Sequence, residues 1–413
     1  MSEADALDHR KLYRLPWSLT DNVIAWLEPT KQCNIHCEGC YSANVKGSHK
    51  SLEAIRADLD VFQRYRRTDA VSVAGGDPLT HPQIVEVVAE IARRGLKPVV
   101  NTNGLAMTPE LLRELKGAGL KGVTFHIDTS QQRPGWTGKS ELELNALRLT
   151  YAEMVASVGG ISCAFNATVF EHTLPLVPEI VAWGHQHADK VNVLVFIAFR
   201  STLEGAYDYY VGGDKVDTNP LVYREDEAKA QRTSISAREV VAAIRSRFPE
   251  FAPAAYLNGT ERPDDLKWLM TLTVTDREEL LGSVGPRVTE LSQVLNHLVH
   301  GRYLGYVGPE VHHGAKKLLA LGAIDPGMRG VAKRWAAKVA RRPLAALEPL
   351  HLQSVMVIQP VDVLPDGRAS MCDGCPDMTV HQGELVWSCR LEERLEYGQF
   401  MRAVPAKREK AEA

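Results

Sequence analysis

Thr30-Lys-Gln-Cys33-Asn-Ile-His36-Cys37-Glu-Gly-Cys40-Tyr41 places three thiols within eight residues, directly after the β-branched and apolar run Val23–Glu28. Thiolates are the usual protein ligands of iron-sulfur clusters, and a loop of this length can wrap one cuboidal cluster. Three protein ligands leave one of the four irons open. A zinc knuckle completed by His36 or a distant residue is the other reading of the loop taken alone.

Outward from this loop the chain alternates short strand-like runs with longer amphipathic stretches as far as about residue 200. Candidate strands are Val23–Glu28, Ala70–Ala74, Pro98–Asn101, Gly122–Ile127, Ile161–Thr168 and Lys190–Ala198. Candidate helices between them are Leu52–Tyr65, Gln83–Arg94, Pro109–Gly117, Glu141–Ser157 and Leu174–His187. Repeated βα units imply a parallel sheet, and six of them predict an α/β fold, a partial (β/α)6 TIM-like barrel. In such a barrel chemistry gathers at the carboxyl ends of the strands, where the loops converge. The three cysteines stand at the first such end.

The next strand ends carry Ala74-Gly75-Gly76-Asp77-Pro78, then Asn101-Thr102-Asn103-Gly104, then His126-Ile127-Asp128-Thr129-Ser130, and Asn166 lies near the end of the fifth strand. Each alone is also a turn or a helix cap. Their order along the barrel, together with the three-then-two cysteine spacing and the aromatic Tyr41, resembles the radical S-adenosylmethionine (SAM) superfamily. The resemblance implies a 4Fe–4S cluster on Cys33, Cys37 and Cys40, with its open iron chelated by SAM. Gly75 and Gly76 correspond to the family's Gly-Gly-Glu motif, with Asp77 in place of the Glu, and Asn103, Asp128 and Asn166 stand where the family contacts SAM. It further implies reductive cleavage of SAM to a 5′-deoxyadenosyl radical, hydrogen abstraction from a substrate, and a one-electron donor such as flavodoxin or ferredoxin.

A second group, Cys372, Cys375 and Cys389, lies in the last 67 residues, residues 347–413. The Asp366-Gly367 pair before it is a strong hairpin signal. The arrangement resembles the SPASM and Twitch tails of some radical SAM enzymes, which hold auxiliary iron-sulfur clusters. One cluster fits three cysteines, with an open iron or with His381 or Asp377 as fourth ligand; a structural zinc hairpin is the alternative. Cys163, inside the fifth strand, reads as a small buried hydrophobe.

The remaining sequence divides into an arm (residues 1–20), the barrel (21–200), a helical insertion (201–346) and the cysteine-bearing tail. Helices are expected in the insertion at Ala237–Phe248, Arg287–His300, Gly314–Leu321 and Gly330–Ala340, and strands in the tail at Ser354–Val363 and Glu384–Ser388. No cobalamin-binding segment is recognisable ahead of the barrel.

A net charge of −3, 45% hydrophobic and 24% charged residues over 413 positions are those of an ordinary globular protein and give no sign of a nucleic-acid partner. Seven cysteines are too few for a disulfide framework, and neither a signal peptide nor a membrane span of about 18 apolar residues is visible, so a cytoplasmic location is expected. The basic stretch Arg329–Arg342 with Trp335 reads as a solvated helix face or as a peripheral contact with anionic lipid. The pairs His297/His300 and His312/His313 lack cysteine or acidic partners in sequence. Tyr41, Tyr209, Tyr210 and Tyr303 are candidate hydrogen donors among which the sequence does not choose, and it names no catalytic residue.

The expected function is hydrogen abstraction from a small-molecule or lipid-like substrate. A peptide maturase and a non-enzymatic zinc or iron-sulfur redox sensor are the alternatives.

Overall fold

The computed structural model describes residues 7–200, 207–221 and 235–406. The first six residues of the expected arm, parts 201–206 and 222–234 of the expected insertion, and the last seven of the tail lie outside them.

The barrel wall is six parallel strands in chain order: β2 (Ile24–Thr30), β3 (Ala70–Gly75), β4 (Lys97–Thr102), β5 (Gly122–His126), β6 (Ser162–Val169) and β7 (Val193–Ala198), preceded in the chain by the short β1 (Tyr13–Arg14). Five helices cross between them: α1 (Leu52–Tyr65), α2 (Ile84–Arg93), α3 (Pro109–Gly117), α4 (Asn145–Val158) and α5 (Val177–Gln186). Helix α1 shows why these segments are helical. Ser51 caps its first turn by accepting from Ala54 N, and Ile55, Leu59 and Phe62, spaced four and three apart, bury one face against the sheet. They join Val71, Val73, Val123, Phe125, Cys163 and Phe165 from the outward strand faces in one core.

The inward faces differ. Asn166 and Thr168 on β6 and Val193 and Ile197 on β7 are half-buried, while their outward neighbours are fully buried. Strand side chains alternate faces, so the half-buried set faces the barrel interior, where Met270, Met356 and Ile358 pack with Trp268 and Tyr306.

Beyond β7 the sheet continues with β13 (His351–Ile358), parallel to it, then β11 (Leu266–Thr275), antiparallel, then β10 (Ala255–Asn258), with β1 at the far edge. Strand β12 (Leu280–Ser283) pairs with β11, and β8 (Tyr207–Val211) and β9 (Asp214–Lys215) form a small sheet with β18 (Arg402–Pro405). The expectation of a wholly helical insertion is corrected here: its described part carries five strands, and β11 extends the barrel wall. Its helices are α6 (Ala237–Arg247), α7 (Pro286–His300), the short α8 (Pro309–His312) and α9 (Pro326–Arg341), and Ala315–Ala323 winds as a 3₁₀ helix.

Two segments close the barrel. Across the amino ends of the strands, Gly305 N donates to Asp69 Oδ2 (3.0 Å), Lys97 Nζ to Tyr306 O (2.8 Å) and Ser162 Oγ to Val307 O (2.8 Å), so residues 305–307 form a strap with the Tyr306 ring beside Ser72. The gap between β2 and β10 is spanned by the tail: Gly259 bridges to Cys372, Asn22 Nδ2 donates to Gly374 O (3.0 Å), and buried Arg66 donates to Ile24 O (2.7 Å), Cys375 O (2.5 Å) and Pro376 O (2.8 Å). Gly374, at φ 72°, lies so near Trp17 that a Cβ would stand 2.1 Å from its carbonyl oxygen. The tail's hairpins are β14 (Asp362–Val363) with β15 (Ala369–Ser370), turning at Asp366-Gly367, and β16 (Met378–His381) with β17 (Glu384–Trp387); α10 (Leu391–Tyr397) follows.

Candidate iron-sulfur centre

The cysteine loop leaves β2 where its pairing with β3 slips, between Leu27 and Thr30. It is then gripped on three sides. On the β3 side Gly76 N donates to Thr30 O (2.9 Å) and Asp77 N to Gln32 O (2.8 Å). A Cβ on Gly76 would stand 2.3 Å from Gln32 O, and one on Gly75, at φ 100°, 2.3 Å from Thr30 O, so only glycine allows this approach. On the β4 side Asn103 Nδ2 donates to Asn34 Oδ1 (2.7 Å) and lies 3.6 Å from Cys33 Sγ. On the β5 side Glu38 N donates to Ser130 O (3.0 Å) and Gln132 N to His36 O (2.9 Å).

Burial raises all three thiol pKa values. At Cys37 the neighbouring charges of Cys40, Asp128 and Cys33 raise it further, and at Cys40 that of Cys33 does. The three sulfurs are therefore mutual electrostatic neighbours, in a pocket where thiolates repel one another unless cationic charge lies between them. That donor chemistry fits a metal centre, whose charge inverts the sign of these shifts.

Asp77 and Asp128 are fully engaged by the protein. Asp77 accepts from Leu79 N (3.0 Å), Thr102 Oγ1 (2.8 Å) and Asn103 N (2.8 Å), and burial raises its pKa. Asp128 accepts from Ser130 N (2.9 Å), Ser130 Oγ, His126 Nε2 (2.7 Å) and Thr168 N (2.9 Å). Burial works to raise its pKa, but His126 and these donors outweigh that and hold it well below the usual carboxylate range. Both acids build the turns that carry Asn103 and His126 rather than presenting free oxygens.

The free polar groups lie elsewhere on the inner wall. Asn166 Oδ1 and Asn101 Nδ2 are buried without a hydrogen-bond partner, as is Glu28 Oε1, whose carboxyl burial lifts to about 7. Arg133, buried below the rim, donates to Asn103 O (2.5 Å) and Gln131 Oε1 (3.0 Å). Asn101 and His126 were visible in the sequence only as parts of strand-end motifs; nothing in it marked Glu28 or Arg133.

As placed, no three Cys, His, Asp or Glu side chains among the described residues enclose a metal-ion site; in the second group the direct contact is between Cys372 and Cys375. The Cys375 thiol is raised first by its hydrogen bond with Cys372 and then by burial, and Cys389 is pushed up to about 12 by burial. Of the two proposed fourth ligands, Asp377 faces Cys375 and Cys389, and burial raises it to about 7. His381 instead neighbours Arg394, Lys50 and Glu384.

Tyr41 is half-buried beside Glu28, Cys40 and Trp26, whereas Tyr209 and Tyr210 belong to the small tail sheet and the Tyr303 ring lies tilted against His297. Tyr306, which the sequence did not single out, enters the barrel from the strap. His297 Nε2 meets Asp21 Oδ2 (2.8 Å), His312 Nδ1 meets Leu352 O (3.0 Å) and His313 meets His351. Cys163 is buried in the outer core, as expected. On α9, Lys338 pairs with Asp276, Glu278 and Glu279, Arg342 with Glu278 and Glu348, and Arg334 Nε donates to Leu281 O (2.6 Å). Much of that basic stretch is thus tied to the protein itself. No helix among the described residues is long and apolar enough to cross a membrane.

Residues 27–156 match the family model of the radical SAM superfamily. That stretch is similar to the superfamily's domain. A tungsten-containing aldehyde ferredoxin oxidoreductase cofactor-modifying protein of Pyrococcus furiosus is 29% identical over 106 residues, 25% of this chain and 30% of that protein. An AdoMet-dependent heme synthase of Methanosarcina barkeri is 30% identical over 109 residues, 26% of this chain and 31% of that one. The matched stretch thus spans about 30% of these curated relatives. Among solved structures, Streptococcus suis SuiB bound to its precursor peptide SuiA overlaps 45% of this chain and 41% of its own at 15% identity, with a TM-score of 0.37. Superfamily members use a 4Fe–4S cluster and SAM.

Proposed function

We propose that the protein is a radical SAM enzyme that abstracts hydrogen from a small-molecule or lipid-like substrate held inside the barrel. One observation carries the reading: three half-buried cysteines in one loop, pressed against a Gly75-Gly76 backbone that admits no side chain. When bound, the cluster and SAM supply the reductive sulfonium cleavage and the 5′-deoxyadenosyl radical.

The chain's own residues do the rest. Cys33, Cys37 and Cys40 hold the cluster, and Gly75 and Gly76 let their loop lie directly on the end of β3 that receives SAM's amino group. Asn103 fixes the loop beside Cys33. Asn101 and Asn166 offer unpaired polar atoms to SAM below the rim. Asp77 and Asp128 serve as supports for these residues. Facing them, Val195 and Ile197 on β7, Met356 and Ile358 on β13 and Met270 on β11 line an apolar wall that excludes water from a reactive intermediate. A polar half and an apolar half on one inner wall suit a small-molecule or lipid-like substrate, in keeping with relatives named for cofactor modification and heme synthesis.

Cys372, Cys375 and Cys389 are proposed to bind one auxiliary iron-sulfur cluster, with Asp377 nearest as a fourth ligand. The domain order of arm, barrel, insertion and tail, a cytoplasmic location, and a flavodoxin or ferredoxin donor complete the reading.

Anaerobic reconstitution tests it. The expected result is a brown protein containing iron and sulfide that releases 5′-deoxyadenosine from SAM under dithionite, with release abolished when all three amino-terminal cysteines become alanine. A colourless protein with stoichiometric zinc would overturn the proposal.

A further inference from the structure

A side chain of the tail reaches the first cysteine loop. Glu392, on α10, accepts from Ala43 N at 3.0 Å and pairs with Lys31 Nζ through the same oxygen, Oε1. Lys31 stands two residues before Cys33 and Ala43 three after Cys40. One carboxylate therefore holds both ends of the loop that carries the three thiols, from 349 residues away along the chain at Ala43 and 361 at Lys31. The pair is shielded, with side chains 17% and 11% exposed, so water screens it far less than an ion pair on the surface.

The other end of this connection is equally firm. Glu392 follows Cys389 by three residues, across the one turn that joins the second cysteine group to α10. That turn is pinned: Arg390 Nε donates to Glu393 Oε1 (2.7 Å), Met401 N to Glu393 Oε2 (2.8 Å) and Arg390 Nη2 to Met401 O (2.8 Å). A shift of Cys389 is thus carried into Glu392 rather than absorbed between them. Elements packed this tightly move as units.

We infer that Glu392 is a positioning residue for the first cysteine loop, and that through it the state of the Cys372/Cys375/Cys389 site sets how that loop meets SAM. The inference rests on the proposed function, since it takes both cysteine groups as metal-binding.

The test uses the full-length, anaerobically reconstituted protein, reading SAM affinity and the EPR spectrum of the reduced first cluster with and without SAM. Wild type gives a SAM-induced change in g-values. Glu392→Ala weakens SAM binding about tenfold, the effect of losing one shielded charge-assisted contact, and alters that spectral change, while Glu392→Asp restores part of both. Lys31→Met does the same as Glu392→Ala, and the double variant is no worse than either single one. Cys389→Ala, with first-cluster iron retained, reproduces the altered spectrum. Should Glu392→Ala fail to load iron, Glu392→Gln decides, because it keeps an acceptor for Ala43 N and loses only the charge. Unchanged SAM affinity and spectra in the Glu392 and Cys389 variants would overturn the inference while leaving the radical SAM reading intact. A wild-type protein whose cluster ignores SAM would overturn that reading, and this inference with it.

Discussion

Asn103 and Asn34 share a 2.7 Å hydrogen bond that joins the end of β4 to the middle of the cysteine loop, and the same amide nitrogen lies 3.6 Å from Cys33 Sγ. A donor beside a ligating sulfur stabilises the reduced cluster. Asn103→Ala is therefore expected to lower the cluster's midpoint potential and slow 5′-deoxyadenosine formation at unchanged fold, checked by redox titration and circular dichroism. An unchanged potential would remove Asn103 from the site.

Gly76→Ala forces a Cβ onto Gln32 O and the Lys31 carbonyl carbon. Overpacking of this kind costs about 1–3 kcal/mol, and here it falls on the loop that bears the thiols. Reduced iron content after reconstitution and a lower melting temperature are expected. Gly117→Ala, at the end of α3 with open space around it, is the control that leaves both unchanged.

Arg66 donates to carbonyls of β2 and of the tail, and burial lowers its pKa to about 10. Arg66→Ala leaves those acceptors unpaired, at about 2–4 kcal/mol, and releases the tail from the seam. Iron analysis should show loss confined to the second cysteine group. Iron lost equally from both groups would contradict this account of the seam.

His185 is buried, with Phe248 at 5.3 Å between ring centroids and neither ring nitrogen hydrogen-bonded. Burial pushes its pKa down from 6.5 to about 4. The unfolded chain then binds the extra proton, so stability is lost as pH falls from about 6.5 and the loss levels off below about 4, reaching about 3 kcal/mol in all. His185→Leu should flatten this dependence. The check is the difference between wild-type and variant urea midpoints at pH 7 and pH 5; a constant difference would refute it.

Much of the barrel was legible because each parallel strand is a short β-branched run bounded by turns, and the six candidate strands of the sequence coincide with β2 to β7 to within a few residues. Strand β11 was not, because its apolar alternation is broken by polar residues that are nonetheless buried: Lys267, paired with Asp265 and Asp362, and Thr271 and Thr273. Its pairing with β13 lies some 80 residues further along the chain, a distance no local pattern reports. At the site, spacing alone revealed the cysteines. The roles of Asp77 and Asp128 depend on which backbone groups the fold brings to them. Glu392 and Arg66 act on residues hundreds of positions away, so nothing near them in sequence marks them.

The strap at residues 305–307 stoppers the floor of the barrel. If the substrate sits inside the barrel, as proposed, its way in is left to the thiol-bearing rim that the proposal also gives to SAM, so it would have to arrive before the cofactor and depart after its remnants. Such a doorway imposes a queue, one that steady-state kinetics would register as compulsory order.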